Sequence, residues 1–465
     1  MMPPNDALIQ SWTQTVARRH ADAAIYNTRG EVLRTFAQIN DEARDFIASG
    51  FDGLNPGDVI GIQAGNHPSW PALFLACLNA GIVALPLERS IAEQERDAAL
   101  NACRASAVVT SGTFASPVVI TRRSAVPTDW RDCPPSLLKL TSGTTAAPRV
   151  IRFRSHQLLA DCEQICDTMG ISDRDLNFAV IPVSHSYGFS NLVTPLIARG
   201  VPVVLSSDRM PRAVLDGLAR TRATVFPGMP VFYQAFAQMD PAPELPALRL
   251  CISAGAPLPL AVAQQFREVF GRAIHSFYGS SECGGICYDR EAQLEQEGFV
   301  GEPMQEVQIE ALDPQAATSR VRVRSAAAGD GYFPNADETR LGNGCFVPDD
   351  LLAQRGAGFA IVGRASDIIN VAGKKVNPAE VEAVLLGVSG VREAAVFGIT
   401  SALRNEEVAA CVVADDSVRE EGLLKFCRGK LSGWQAPKRI FFLPAMPTNE
   451  RGKISRRALA QRFAS

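Results

Sequence analysis

The 465-residue sequence lacks any apolar run long enough to span a membrane. It also lacks an excess of either charge: 46 lysines and arginines stand against 49 aspartates and glutamates, a formal net charge of −3. No overall field therefore recruits nucleic acid or an anionic bilayer, and charge that binds phosphate must be gathered locally. The opening residues Met1-Met2-Pro3-Pro4-Asn5-Asp6 lack the basic and then apolar pattern of a secretion signal, so a cytoplasmic protein is expected. Histidine is scarce, at five residues, and none lies close enough in sequence to Cys162/Cys166 or Cys283/Cys287 to complete a zinc motif. Both cysteine pairs have the i, i+4 spacing of a helix face. The eleven cysteines are scattered through apolar segments such as Leu75-Ala76-Cys77-Leu78, and read as buried thiols in a reducing compartment. The GxGxxG dinucleotide fingerprint, internal repeats and low-complexity tracts are absent as well.

What is present is a globular composition, 46% hydrophobic and 20% charged, in a chain too long for one ordinary core. Residues 32–110 alternate in pattern: a helix over 36–48, a strand at 59–63, a helix over 69–79, a strand at 82–86, another helix, and a strand at 106–110. Similar alternation returns at 176–182, 201–205, 212–220, 224–226 and 248–253. This predicts α/β layering around parallel sheets. From about 300 to 346 the pattern changes to short alternating strands, such as 307–310 and 320–324, separated by Gly, Pro and Asn turns. After Gly363 it changes again, to a compact α+β unit with a helix from Pro378, strands at 393–398 and 407–413, a helix over 420–431 and a strand at 439–442. Asn377 is the expected helix cap, with Pro378 in the first helical position and Glu380 completing a capping box.

Six local motifs carry chemistry. In Leu140-Thr141-Ser142-Gly143-Thr144-Thr145-Ala146-Ala147-Pro148-Arg149, four hydroxyls and a glycine are closed by a cation, a composition suited to polyphosphate. Arg149 adds a charge-assisted donor, although a polar surface turn fits that run equally well when it is taken alone. Phe277-Tyr278-Gly279-Ser280-Ser281-Glu282 offers a ring to stack on a base and a carboxylate to hold Mg²⁺. Ile252-Ser253-Ala254-Gly255-Ala256-Pro257 is a small-residue turn against which a flat ring can lie. In Phe346-Val347-Pro348-Asp349-Asp350-Leu351 a carboxylate can accept both hydroxyls of a ribose. Val362-Gly363-Arg364-Ala365-Ser366-Asp367-Ile368-Ile369-Asn370 joins the two regions, and Pro447-Thr448-Asn449-Glu450-Arg451-Gly452-Lys453-Ile454-Ser455-Arg456-Arg457 places a Gly-Lys near the C-terminus.

In order and spacing these motifs resemble the adenylate-forming superfamily of acyl-CoA and aryl-CoA synthetases, nonribosomal adenylation domains and luciferases. The resemblance covers nearly the whole chain. It implies an α/β fold: a large N-terminal AMP-binding domain, 1–364, of layered sheets plus a small β-subdomain, then a small mobile α+β C-terminal domain, 365–465. It implies that Thr141, Ser142, Gly143, Thr144 and Thr145 hold the β- and γ-phosphates of ATP. Tyr278 and Gly279, with Gly255 and Ala256, would hold adenine; Ser281 and Glu282 would hold phosphate and Mg²⁺; Asp350 and Arg364 would contact ribose. Lys453 would be the catalytic lysine between the acid and the α-phosphate. The segment Val371-Ala372-Gly373-Lys374-Lys375 resembles the loop that admits the thiol, with Gly373 and Lys374 at its tunnel.

Several positions depart from the family pattern. Ala146 replaces a glycine, and Pro148-Arg149-Val150 replaces Pro-Lys-Gly, which keeps charge but not shape. Pro348 and Asp349 stand where threonine and glycine are usual. Ser366 occupies the hinge, commonly Asp or Lys, and Ser281 stands for threonine. In Val183-Ser184-His185-Ser186-Tyr187-Gly188-Phe189 there is no acid to pair with an α-ammonium, so an amino-acid substrate is disfavoured. His185 resembles the histidine beside the substrate carboxylate, and Tyr187, Phe226 and Phe277 are candidates for an apolar acid pocket. The expected activity is ATP- and Mg²⁺-dependent conversion of an aryl or fatty acid to acyl-AMP and then to a CoA thioester. Two rivals are an acyl-AMP ligase serving the phosphopantetheine of an acyl carrier protein, and a nucleotide-binding or regulatory homologue weakened in catalysis.

Overall fold

Runs of β-branched and aliphatic residues bounded by Gly and Pro set the strands. In a computed structural model, described here for residues 6–114, 116–130, 133–140, 149–292, 296–401, 405–447 and 454–463, they form two sheets in the first of two units. That unit comprises Met1–Glu310, Arg322–Pro348 and Gly356–Phe359. One sheet runs in the order Gly331–Phe333, Val150–Phe153, Leu137–Leu140, Val83–Pro86, Val59–Gln63, Ala105–Ser111 and Val118–Arg122. Its centre is parallel, and Val59–Gln63 and Val83–Pro86 are buried on both faces, which explains their continuous apolar runs. Leu140 and Val150 are register partners in an antiparallel pair, so the hydroxyl-rich run begins and ends at adjacent strand ends.

The second sheet of this unit contains Ala23–Asn27, Val203–Leu205, Asn177–Ala179, Val225–Gly228, Leu250–Ser253, Ile274–Ser280 and Gly284–Tyr288 in that spatial order. Asn177–Ala179 through Ile274–Ser280 run parallel. The helices Pro211–Thr221, Pro230–Ala237 and Leu260–Phe270 pack on it around Phe178, Phe226, Tyr233, Phe236 and Phe266. The small β-subdomain appears as short antiparallel strands, Val323 facing Phe346 and Leu341 facing the same residue from the other side. Cys162 and Cys166 lie on the helix Ser155–Met169, as their spacing implies. Cys283 and Cys287 do not: Cys287 is in a strand, because Gly284-Gly285 breaks helix formation and the chain turns back along Ile274–Ser280.

The second unit comprises Ala311–Val321, Asp349–Arg355 and Ala360–Ser465, so it takes in two segments upstream of residue 364. These two pair with each other through Ser319 and Leu352, which exchange backbone hydrogen bonds of 3.0 and 2.9 Å. Its sheet joins Lys374–Val376, Ile369–Val371, Asn405–Ala414 and Val391–Ser401, with Arg439–Phe442 parallel to Asn405–Ala414. Alternation sends Val396, Val408, Ala410 and Val412 to one core and Phe397, Ile399, Cys411 and Val413 to the other. The helix Pro378–Leu386 starts as expected, but its cap differs. Asn377 accepts from the Ala379 amide at 3.2 Å, and the Glu380 carboxylate accepts from Gln435 at 3.4 Å rather than folding back to close a capping box.

Candidate active site

The parallel strands Leu250–Ser253 and Ile274–Ser280 end at the same edge of their sheet, so the turns that follow them emerge together. Carboxyl ends of parallel strands are where α/β folds place ligands. Gly255 and Ala256 are exposed on the first of these turns. At the end of the second strand, Tyr278 is buried opposite Cys287, and Gly279 is required by close approach: a Cβ there would lie 2.7 Å from the Gly284 carbonyl oxygen. The Ser280 hydroxyl then accepts from the amides of Glu282 and Cys283, both at 3.2 Å, which forms the tight turn carrying Ser281 and Glu282.

Glu282 is half-buried. Its backbone carbonyl accepts from the Gly329 amide at 2.8 Å, and its Oε1 accepts from the Tyr332 hydroxyl at 3.2 Å. Above the Tyr332 ring lies the Arg149 guanidinium, 4.1 Å from the ring centroid. Beneath the same region Lys139 is buried on Leu137–Leu140, with Nζ 4.5 Å from the Phe153 ring centroid. Burial pulls Lys139 below the ordinary lysine value, against the opposing charges of Asp161, Cys283 and Glu282. Sequence reasoning passed over Tyr332 and Lys139. Both contacts are tertiary, and only the position of Lys139 just before the hydroxyl run offered a signal.

The stretch around His185 leads into the aromatic wall. Tyr187 is half-buried, its ring 5.8 Å from Phe277, and its hydroxyl donates toward the Gly228 and Ile252 carbonyls at 3.3 and 3.4 Å. Phe226, a candidate for the acid pocket, sits deeper in the same sheet. It is fully buried among Phe178, Phe232, Tyr233 and Phe236, so its ring is committed to the core beneath the helices. His185 Nε2 lies 3.4 Å from Glu88 Oε1. The segment around His185 has no acid of its own, and the fold brings one from just beyond Val83–Pro86.

Four further candidates belong to the second unit. Asp350 and Arg364 form an ion pair of 3.0 Å. Gly373 has φ +85, a left-handed turn conformation, and its amide donates to Asn370 Oδ1 at 2.9 Å; Lys374 Nζ lies 5.4 Å from the Trp434 ring centroid. Arg456, which follows Lys453 closely in sequence, is a hub. Its guanidinium reaches Asp367 at 2.7 Å, both oxygens of Glu382 at 2.9 Å, and the Val396 carbonyl at 3.0 Å. Thr141, Ser142, Gly143, Thr144, Thr145 and Lys453 lie outside the described residues. Among the described residues no group of three or more His, Cys, Asp or Glu side chains is placed to hold a metal. Among the described residues no helix is long and apolar enough to cross a membrane.

The sequence matches the AMP-binding enzyme family over residues 13–332 and the AMP-binding enzyme C-terminal domain over 380–453. The chain belongs to the AMP-binding enzyme family. Among curated relatives of this AMP-binding enzyme, a feruloyl-CoA synthase from Amycolatopsis sp is 29% identical, over 97% of this chain and 98% of that protein. A long-chain-fatty-acid–CoA ligase from Escherichia coli O6:H1 is 25% identical, over 97% and 94%. The fold is that of ATP-bound MatB from Rhodopseudomonas palustris, with a TM-score of 0.84 at 23% identity and 98% of each chain covered. It is also that of the anthranilate CoA ligase AuaEII in complex with anthranoyl-AMP, with a TM-score of 0.81 at 21% identity and 99% and 98% covered.

Proposed function

We propose that this AMP-binding enzyme activates an aryl or fatty carboxylic acid with ATP, releases pyrophosphate, and transfers the acyl group from the adenylate to the thiol of CoA. It is an AMP-forming acid–thiol ligase. The observation that carries the reading is the end of Ile274–Ser280 and the turn after it, where a buried tyrosine, a half-buried carboxylate and, across Tyr332, a guanidinium converge. Tyr278, Gly279, Gly255 and Ala256 receive the adenine. Thr141 to Thr145 and Arg149 receive the outer phosphates, with Ser281 beside them, and Asp350 and Arg364 receive the ribose.

Glu282 fits Mg²⁺ because it is a hard oxygen donor steadied by a hydroxyl, and magnesium on a nucleotide takes one or two carboxylates, with phosphate and water completing its shell. When bound, the ion supplies neutralisation of charge on the departing pyrophosphate. Lys453 supplies a second cation at the α-phosphate as the substrate carboxylate attacks phosphorus and the bond to pyrophosphate breaks. In the second step the thiol sulfur attacks the acyl carbon and AMP leaves. The small domain beyond residue 364 turns between the two steps, withdrawing Lys453 and bringing Gly373 and Lys374 to the thiol. His185, with Nε2 turned to Glu88, orients the carboxylate of the acid. Tyr187 and Phe277 wall the acid pocket. Work in the cytoplasm suits this chemistry.

ATP–pyrophosphate exchange over a panel of aryl, short-chain, medium-chain and long-chain acids and amino acids tests the reading. Exchange with aryl or fatty acids is the expected result. Exchange confined to amino acids, or absent despite ATP binding, overturns it. Thioester formation with free CoA, compared with a holo carrier protein, then decides the acceptor. Replacing Lys453 by alanine is expected to lower adenylation by 1000-fold or more, on the order of the loss of a principal electrostatic catalyst, while ATP still binds.

A further inference from the structure

Arg149 stands where the family resemblance leads one to expect lysine, and the structure gives that exchange a partner. We propose that Tyr332 is a positioning residue that couples Arg149 to Glu282, so that guanidinium, phenol and carboxylate act as one unit on the nucleotide phosphates and their metal. The proposal rests on the adenylating reading above. Tyr332 is buried on Gly331–Phe333, which runs antiparallel to Val150–Phe153 with Phe333 opposite Val150 and Tyr332 opposite Ile151. The ladder thus sets the ring beside the end of the phosphate run. One face of the ring carries the guanidinium at 4.1 Å, and its hydroxyl donates to Glu282 at 3.2 Å. Arg149 also donates to the Asn335 carbonyl at 3.4 Å, and Gly329 pins the turn bearing Glu282 at 2.8 Å. Both ends of the unit are therefore tied to the single segment from Gly329 to Asn335.

Stacking fixes the plane of the guanidinium, and a planar fork of donors meets an anion edge-on, a geometry that an ammonium does not have. Arg149→Lys, although it restores the usual residue, is accordingly expected to weaken ATP binding. Calorimetric titration of ATP into the full chain, with and without Mg²⁺, measures this. Arg149→Lys is expected to weaken binding about five-fold in both conditions. Tyr332→Phe keeps the stacked ring but removes the hydroxyl, so it leaves metal-free binding intact and lowers the gain from Mg²⁺ about five-fold. Tyr332→Leu shows both losses. Arg149→Lys then adds little on Tyr332→Leu but its full effect on Tyr332→Phe.

Equal or tighter ATP binding by Arg149→Lys overturns the coupling, as does a full five-fold effect in the Tyr332→Leu background. If Tyr332→Leu does not fold, Arg149→Lys and Tyr332→Phe alone decide the matter by the same two readouts. Absence of ATP binding in the wild type overturns the adenylating reading itself, whereas wild-type binding unchanged by Arg149→Lys removes only the coupling.

Discussion

Glu282 and Arg456 are charged centres of the two units, and the fold holds them by different means. Glu282 is oriented by a neutral phenol hydroxyl and by backbone contacts of its turn. Arg456 is held by two carboxylates and a carbonyl, at 2.7 to 3.0 Å. A hydroxyl fixes the direction of a carboxylate without cancelling its charge; two carboxylates consume the charge of a guanidinium in holding the fold together. The first arrangement suits a group that must meet a ligand. The second suits a group that must carry a neighbouring loop.

Three substitutions sharpen or break that contrast. The largest effect is expected from Glu282→Gln, which keeps shape and removes charge. Pyrophosphate exchange should fall about 100-fold, by loss of metal-assisted charge stabilisation, with little change in melting temperature. A fall in stability with exchange preserved would reverse the assignment. Next is Arg456→Met, expected to cost the second unit about 2 kcal/mol, because two carboxylates and a carbonyl lose a charged donor. Urea unfolding followed through Trp434, which packs on that core, reads it, and Arg456→Lys should recover part of the loss.

The smallest effect concerns Asp175, a charge of the first unit held in the manner of Arg456. Burial resists ionisation there, yet Arg249 at 2.6 and 2.7 Å, the Ser172 amide and Thr224 pull the carboxyl below its ordinary value. Stability from this group is therefore present above the ordinary carboxylate pKa and lost as pH falls through the depressed one. Urea midpoints of the wild type should drop on acidification through that range, and those of Asp175→Asn should drop less steeply. Equal slopes would mean that Asp175 is not a stabilising charge, and the contrast would then separate the two units rather than two kinds of site.

Local pattern carried most of the fold. The strands Val59–Gln63 and Arg439–Phe442 lie where their β-branched and aliphatic residues place them, and the helix Glu420–Lys430 ends one residue before its expected limit. The failures are instructive in kind. A spacing of four fits a strand as well as a helix, so Cys283 and Cys287 needed the intervening Gly284-Gly285 to be read correctly. Glu380 follows the capping-box pattern, but a distant glutamine competes for its carboxylate. For the candidate site, Tyr278 to Glu282 could be read as one group because they are contiguous at a strand end and the turn after it. Tyr332 and Glu88 were not, because each reaches its partner only through sheet pairing or packing between distant segments. Phe226 shows the remaining ambiguity: an aromatic near a strand end suits a pocket or a core, and only its surrounding rings decide.

Of the eleven cysteines, nine are buried, Cys345 is partly covered and Cys133 is exposed. Burial pushes Cys103, Cys251 and Cys283 up to about 12, which keeps them as thiols, whereas alkylating reagents consume thiolates. Cys133 lies just ahead of Leu137–Leu140, the strand that leads into the hydroxyl-rich run. The natural sequence thus carries its own attachment point for a maleimide dye, beside the segment whose response to nucleotide is of most interest. Fluorescence from that dye would follow ATP binding without any engineered cysteine.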